Sequence, residues 1–266
     1  MKISFAKSFV VKFLSTFGYV VHKKENYCDS VFRINSLGDQ IFSLPEEIKI
    51  INDNMGLTLT SRSRMAATMR SLKYISKNEV SGAFVECGIW KGGQIIVGME
   101  QLKLLDDLRE VYLYDTFAGM TEAGELDIDL NNVVAVEELK NTEPAEDNLW
   151  VAVSLEDVVS NLEKVKYPKE KVHYIVGDVR ETLLVDRNLP EQISLLRLDT
   201  DWFDSTYLEL KILYPLLSEG GVLLIDDYGH WNGSKLAADK YFSELGIDPF
   251  WIAIDYSCVL HIKNSL

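Results

Sequence analysis

From about residue 80 onward the chain alternates short apolar runs with longer amphipathic ones. The apolar runs cover 83–87, 111–114, 172–176, 193–198, 221–225, 250–254 and 258–262, each of strand length. Between them, 94–107, 155–164, 205–217 and 234–245 carry apolar residues at helical spacing, and Ser154 with Asp157 resembles a capping pair for the second. Strand and helix in turn make β-α-β units, so the pattern predicts an α/β fold built on a mostly parallel, seven-stranded sheet. Only Asp255, Tyr256 and Ser257 separate the last two strands, which is a hairpin length and closes the sheet with an antiparallel pair. Before residue 80 the pattern is weaker. Residues 45–54 read as a short helix, and 58–75 as another with Leu59, Met65, Met69, Leu72 and Ile75 near helical spacing. The chain thus divides into a helical to irregular segment, 1–79, and an α/β domain, 80–266.

Charge narrows the partners. The net charge of −14 disfavours a phosphate backbone, so nucleic acid is excluded. Acid is concentrated between Glu122 and Asp157, where eleven carboxylates face a single Lys140. Such a run reads as a solvated mobile loop and helix face, or as a lid over a cationic or metal-bound ligand. Cys28, Cys87 and Cys258 are odd in number and far apart, which fits neither a disulfide framework nor a zinc site and points to a reducing cytoplasm. Near the N-terminus Phe5, Phe9, Val10, Phe13, Leu14 and Phe17 are interrupted by Lys12, so the segment predicts an amphipathic helix packing on the domain or on a second subunit, rather than an export signal or a membrane-surface contact, and no transmembrane segment is expected.

In an open parallel sheet the ligand sits beyond the carboxyl ends of the strands, and here those ends are acidic. Glu86 ends the first strand, Asp115 the second, Asp178 follows the third, Asp199 and Asp201 the fourth, and Asp226 and Asp227 the fifth. Carboxylates crowded along one rim repel one another unless something cationic lies among them. A sulfonium bearing an ammonium group, together with a divalent metal, supplies that charge. The turn from Glu86 to Gly93 has glycines that admit a ligand to the backbone but lacks a dinucleotide fingerprint, which argues against a dehydrogenase. Asp115 stands where a carboxylate accepts ribose hydroxyls, and Asp178 where one meets an adenine amino group.

The blocks FVECGIWKGG, LYDTFAGM, LLRLDTDWFDST and LSEGGVLLIDDYG, preceded by TLTSRSRM, resemble the macrocin O-methyltransferase family in order and spacing. That resemblance implies a class I, Rossmann-like fold and an S-adenosylmethionine (SAM)-dependent, divalent-metal-assisted O-methyltransferase of sugar hydroxyls, working on a small-molecule or glycan acceptor as a homodimer or larger homo-oligomer. It assigns Asp199, Asp226 and Asp227 to Mg²⁺ or Mn²⁺ and Asp201 to the general base. Glu86, Gly88, Trp90, Asp115, Thr116, Phe117, Asp178 and Val179 fall on cofactor-contact positions, and Thr60, Ser61 and Arg64 on a stretch that closes over the cofactor. Three carboxylates from adjacent strands form a hard, all-oxygen site that suits either ion. His230 is a rival base, while His22, His173 and His261 read as structural. Trp202, Phe203, Tyr228 and Trp231 flank the carboxylates and would stack on an acceptor or simply pack. Rival readings are a catechol-like acceptor at the same metal, and a SAM-binding protein without turnover.

Overall fold

Seven strands pair in the order β3-β2-β1-β4-β5-β7-β6. They are β1 (Ala83–Cys87), β2 (Val111–Asp115), β3 (Val172–Val176), β4 (Ile193–Leu198), β5 (Leu217–Ile225), β6 (Ile252–Ala253) and β7 (Val259–Ile262). The first five are parallel, and β7 runs antiparallel to both β5 and β6. This is the expected class I methyltransferase sheet with its terminal hairpin. The computed structural model describes residues 44–145 and 148–264; the amphipathic segment expected around Phe5 to Phe17, together with His22 and Cys28, lies outside them. No helix among the described residues is long and apolar enough to cross a membrane.

Both sheet faces are buried, as the near-continuous apolar strands require. On one face Phe84, Leu113, Leu195 and Leu224 pack against α2 (Arg62–Lys77), α3 (Gly93–Leu104) and α5 (Leu155–Leu162). Their strand neighbours Val85, Tyr114, Leu196 and Leu223 turn the other way, onto α7 (Phe203–Leu213) and α8 (Asn232–Leu245). The two-residue period of a strand therefore places Glu86 and Arg197 on the same face as Phe84 and Leu195. Helix α1 (Pro45–Asn54) adds Ile51 to a separate apolar cluster with Met65, Met69 and Val97.

Three boundaries differ from expectation. The helix predicted over 205–217 ends at Leu213, because Pro215 has no amide to continue it, and a 3₁₀ turn leads straight into β5 four residues early. The strand predicted over 250–254 shrinks to Ile252–Ala253 on the outer edge, where Phe250 is 79% exposed and has nothing to pack on. The short helices α4 (Ala135–Asn141) and α6 (Val179–Thr182) carry too few apolar residues to be seen as periodic.

The acidic stretch is not merely a solvated face. Asp127 is buried, accepting from the amides of Gly124 (2.6 Å) and Phe203 (2.8 Å), the latter at the start of α7. Ile128 accepts from the Asn232 amide, and Trp202, Trp231, Ala135 and Leu139 form a small core beneath the segment. Replacing Asp127 by alanine leaves two part-buried amides without that acceptor, a loss of roughly 1 kcal/mol. The expected result is several-fold faster limited proteolysis between residues 120 and 150, with the sheet intact; unchanged cleavage would refute this anchoring role.

Candidate functional site

The strand order reverses between β1 and β4, because the chain runs outward from β1 to β3 and then returns to the other side of β1. A reversal of this kind leaves a crevice outside the carboxyl ends of the two strands. A cavity of about 420 Å³ opens there, within the size range of small-molecule sites. Gly88 lets β1 turn away closely beside β4: its φ is +83°, and a Cβ would collide with the carbonyl of Asp199. Glu86, Gly88, Trp90, Asp115, Asp199, Asp201, Asp226 and Asp227 all line this space, as do Thr60 and Arg64. A smaller hollow of about 50 Å³ shares Gly88, Asp115 and Asp199 with it and continues to Thr116 and Val179.

Other expected positions point elsewhere. Asp178 caps α6 and spends its carboxylate on Arg180, whose bonds hold it below the ordinary carboxylate range although burial pulls upward. Phe117 is buried in the core against Tyr174. Ser61 caps α2, and its hydroxyl donates to Asp255 at 2.6 Å. The Asp115 carboxylate already accepts from the amides of Ile89 (2.5 Å) and Phe117 (2.7 Å), which fixes the turn after β1 against the end of β2.

Asp199, Asp226 and Asp227 each offer a carboxylate oxygen, and these atoms lie within 4.8 Å of one another. Asp201 stands beside them with φ +68°, a left-handed conformation that Asp tolerates better than most residues. Burial raises the pKa of all four carboxyls, and mutual repulsion adds to it; Asp227 is pushed highest, by burial first and then by Asp201 and Asp226. One Asp227 oxygen, Oδ2, is buried without a hydrogen-bond partner, as is Oε2 of Glu86. A set of hard oxygen donors with an unsatisfied buried carboxylate oxygen fits a small divalent cation.

The cations already present on the rim come from the chain itself. Arg197 is completely buried on β4 and donates to Glu86 (2.5 Å), to Asp199 (2.7 Å) and to Asp226. Arg64 donates to Asp226 and, through Nε, to Asp255 at 2.8 Å. Burial lowers the pKa of both arginines, but the carboxylates outweigh it and the net shift is upward. Part of the acid rim is thus explained without any ligand. Even so, Glu86, Asp199, Asp201, Asp226, Asp227 and Asp255 outnumber the two arginines. Burial pushes Glu86 up to about 8 despite Arg197.

Arg197, Asp255 and Glu209 were not expected from the sequence. A lone arginine inside the apolar run Leu195 to Leu198 was the available signal for the first. Glu209 is buried on α7 with its pKa pushed up to about 8 by burial, and it takes a 2.9 Å bond from Thr200 between Asp199 and Asp201. Of the four aromatics expected near the carboxylates only Trp231 lines the cavity, joined by Tyr256 and His230. Trp202 is buried edge-on to Trp231, Phe203 stacks on Tyr207, and Tyr228 bonds to Asp239. Burial lowers the pKa of His230. His173 pairs with Glu110 at 2.7 Å and stacks on Tyr112, away from the cavity.

Comparison with known proteins agrees with this geometry. Residues 49–263 match the family described as Macrocin-O-methyltransferase (TylF). The chain is 29% identical over 201 residues to demethyldecarbamoylnovobiocin O-methyltransferase of Streptomyces niveus, covering 74% of this chain and 72% of that one. It is 30% identical over 195 residues to 8-demethyl-8-(2,3-dimethoxy-alpha-L-rhamnosyl)-tetracenomycin-C 4'-O-methyltransferase of Streptomyces olivaceus, covering 72% and 70%. The solved structure of the O-methyltransferase NovP superposes with a TM-score of 0.67 at 28% identity, over 79% of this chain and 83% of that one.

Proposed function

The chain belongs to the macrocin O-methyltransferase family and is a SAM-dependent O-methyltransferase, and from that premise we propose that it methylates a sugar hydroxyl with the help of a divalent cation. The observation that carries the proposal is the meeting of two groups of residues in one cavity. The Gly88 and Asp115 cradle stands on one side of it, and the Asp199, Asp226 and Asp227 carboxylates on the other. The tetracenomycin relative, whose name specifies a rhamnosyl group, supports a sugar as the acceptor class.

When bound at Asp199, Asp226 and Asp227, Mg²⁺ or Mn²⁺ would acidify an acceptor hydroxyl and fix its direction. The residues do the rest. Glu86, Asp115 and the turn 88–90 present acceptors and backbone to the cofactor, and the acid rim compensates its positive charge. Thr116 and Val179 extend this surface into the smaller hollow. Asp201, on the cavity wall two residues past Asp199, takes the hydroxyl proton as the acceptor oxygen forms its bond to the methyl carbon and the carbon–sulfur bond breaks. Holding the reactants in line, rather than any covalent intermediate, is what the site contributes. Trp231, His230 and Tyr256 wall the acceptor side. The free, buried thiols of Cys87 and Cys258 suit a reducing cytoplasm.

The test is a mass-spectrometric screen of nucleotide-activated deoxyhexoses, phenolic glycosides and catechols with SAM, with Mg²⁺ or Mn²⁺ and after EDTA treatment. Methylation of a glycoside or sugar nucleotide that stops in EDTA and returns with metal is the expected result. Turnover of catechols alone would overturn the sugar acceptor, and full activity in EDTA would overturn the metal.

A further inference from the structure

Counter-charge is unevenly shared between the adjacent carboxylates of Asp226 and Asp227. Both Asp226 oxygens are taken by arginines, Oδ1 by Arg197 and Oδ2 by Arg64, while neither arginine bonds Asp227, whose buried Oδ2 has no hydrogen-bond partner. Arg197 is locked into the sheet by Glu86 and Asp199. Arg64 is held differently. It lies on the first turn of α2, bonds Asp226 through Nη1 and Asp255 through Nε, and sits over the Tyr256 ring at 5.6 Å from its centroid.

We propose that Arg64 is a built-in counter-ion that competes with the divalent cation for Asp226, a role that rests on the carboxylate trio being a cation site. A guanidinium cannot shed its charge in a protein, so it and a dication beside the same carboxylate repel each other strongly in this buried setting. Because separate nitrogens serve the two carboxylates, Arg64 can leave Asp226 and stay paired to Asp255 and stacked on Tyr256. Asp255 suits that task. Its Oδ1 accepts the amides of Ser257 and Cys258, which hold it rigidly in the turn between β6 and β7.

The same Asp255 oxygen that pairs with Arg64 takes the Ser61 hydroxyl at 2.6 Å, which fixes that carboxylate further.

The test is Mn²⁺ binding to the full chain, read by calorimetry and by the electron spin resonance signal of free Mn²⁺, with thermal unfolding alongside. Arg64→Gln is expected to bind Mn²⁺ at least ten-fold more tightly than the wild type. It is also expected to unfold at a lower temperature without metal and to gain more from Mn²⁺. Arg64→Lys keeps the charge but has one nitrogen for two carboxylates, and it should bind Mn²⁺ less tightly than Arg64→Gln. Asp255→Asn, which weakens the second anchor, should shift the affinity the opposite way, several-fold weaker. Wild-type binding with equal or weaker binding by Arg64→Gln, or tighter binding by Asp255→Asn, overturns the counter-ion role while leaving the metal reading in place. If neither the wild type nor Arg64→Gln binds Mn²⁺, the metal reading falls and the counter-ion role falls with it.

Discussion

Asp227→Asn is expected to lower kcat by about three orders of magnitude while SAM affinity stays within a few-fold. A bound cation contributes several kcal/mol of transition-state stabilisation, and each 1.36 kcal/mol is roughly a factor of ten in rate. Asp227 is a cleaner probe than its neighbour. Both oxygens of Asp226 are engaged by arginines, so neutralising that residue strips partners from buried guanidiniums and confuses folding with catalysis. Asp227 Oδ2 has no such partner, and burial and the adjacent carboxylates already press its pKa upward. Removing its charge relieves repulsion, so the metal-free variant should unfold at the same temperature as the wild type or slightly above it. Calorimetric titration with SAM and steady-state rates with a confirmed acceptor separate the two effects. An unchanged kcat would show that Asp227 takes no part in the chemistry.

The largest effect on stability is expected from Arg197→Leu. Its side chain is the shared counter-ion of Glu86, Asp199 and Asp226, so removal leaves Glu86 and Asp199 without a cation and Asp226 with Arg64 alone. Breaking a buried pair by deleting one partner costs about 3–5 kcal/mol. For a chain of this size that lowers Tm by roughly 10 °C. The deficit depends on pH with a definite sign. Glu86 already has a folded-state pKa raised to about 8, mainly by burial, and Arg197 is the main influence holding it down. Without Arg197 the folded state binds its proton more readily still than the unfolded chain does. The charge part of the variant's deficit is therefore largest in alkali and fades as pH falls, through about 8 for Glu86 and through about 6 for Asp226, below which each is protonated in both folded proteins. Thermal unfolding of both proteins at about pH 5.5 and about pH 8.5 measures this. A larger deficit in acid would mean that the arginine acts through packing rather than charge.

Much of the architecture was legible in one dimension because it rests on local periodicity. Apolar runs of strand length marked all seven strands, and three intervening residues between the last two announced the hairpin that forms. Where local chemistry interrupts a pattern the boundaries moved: Pro215 ended α7 early, and the exposed edge beyond β7 left only two residues of β6 in the ladder. The acidic stretch is largely solvated, as expected, and departs from that reading at one buried residue. Its composition reads as solvated, yet the one carboxylate at position 127 is buried as an acceptor for two amides, a role that depends on Phe203, a residue 76 positions away.

The carboxylate rim shows where sequence reading stops. Acidic residues at five strand ends, and their convergence on one edge, follow from strand length and parallel direction alone. Which of them face the cavity does not. Asp178 turned to its near neighbour Arg180, a local bond no periodicity reveals, while Asp255 entered from a hairpin that looked like a mere turn. Above all, Glu86 and Arg197 lie 111 residues apart and become direct neighbours because β4 returns to pair with β1 in a register that sets one opposite the other. The sequence by itself determined the strands, their acidic ends and the family pattern, since each is a property of neighbouring residues. Only the tertiary structure decided which charges meet, because strand order and register are set by burying the whole sheet, and a buried charge takes its partner from that arrangement.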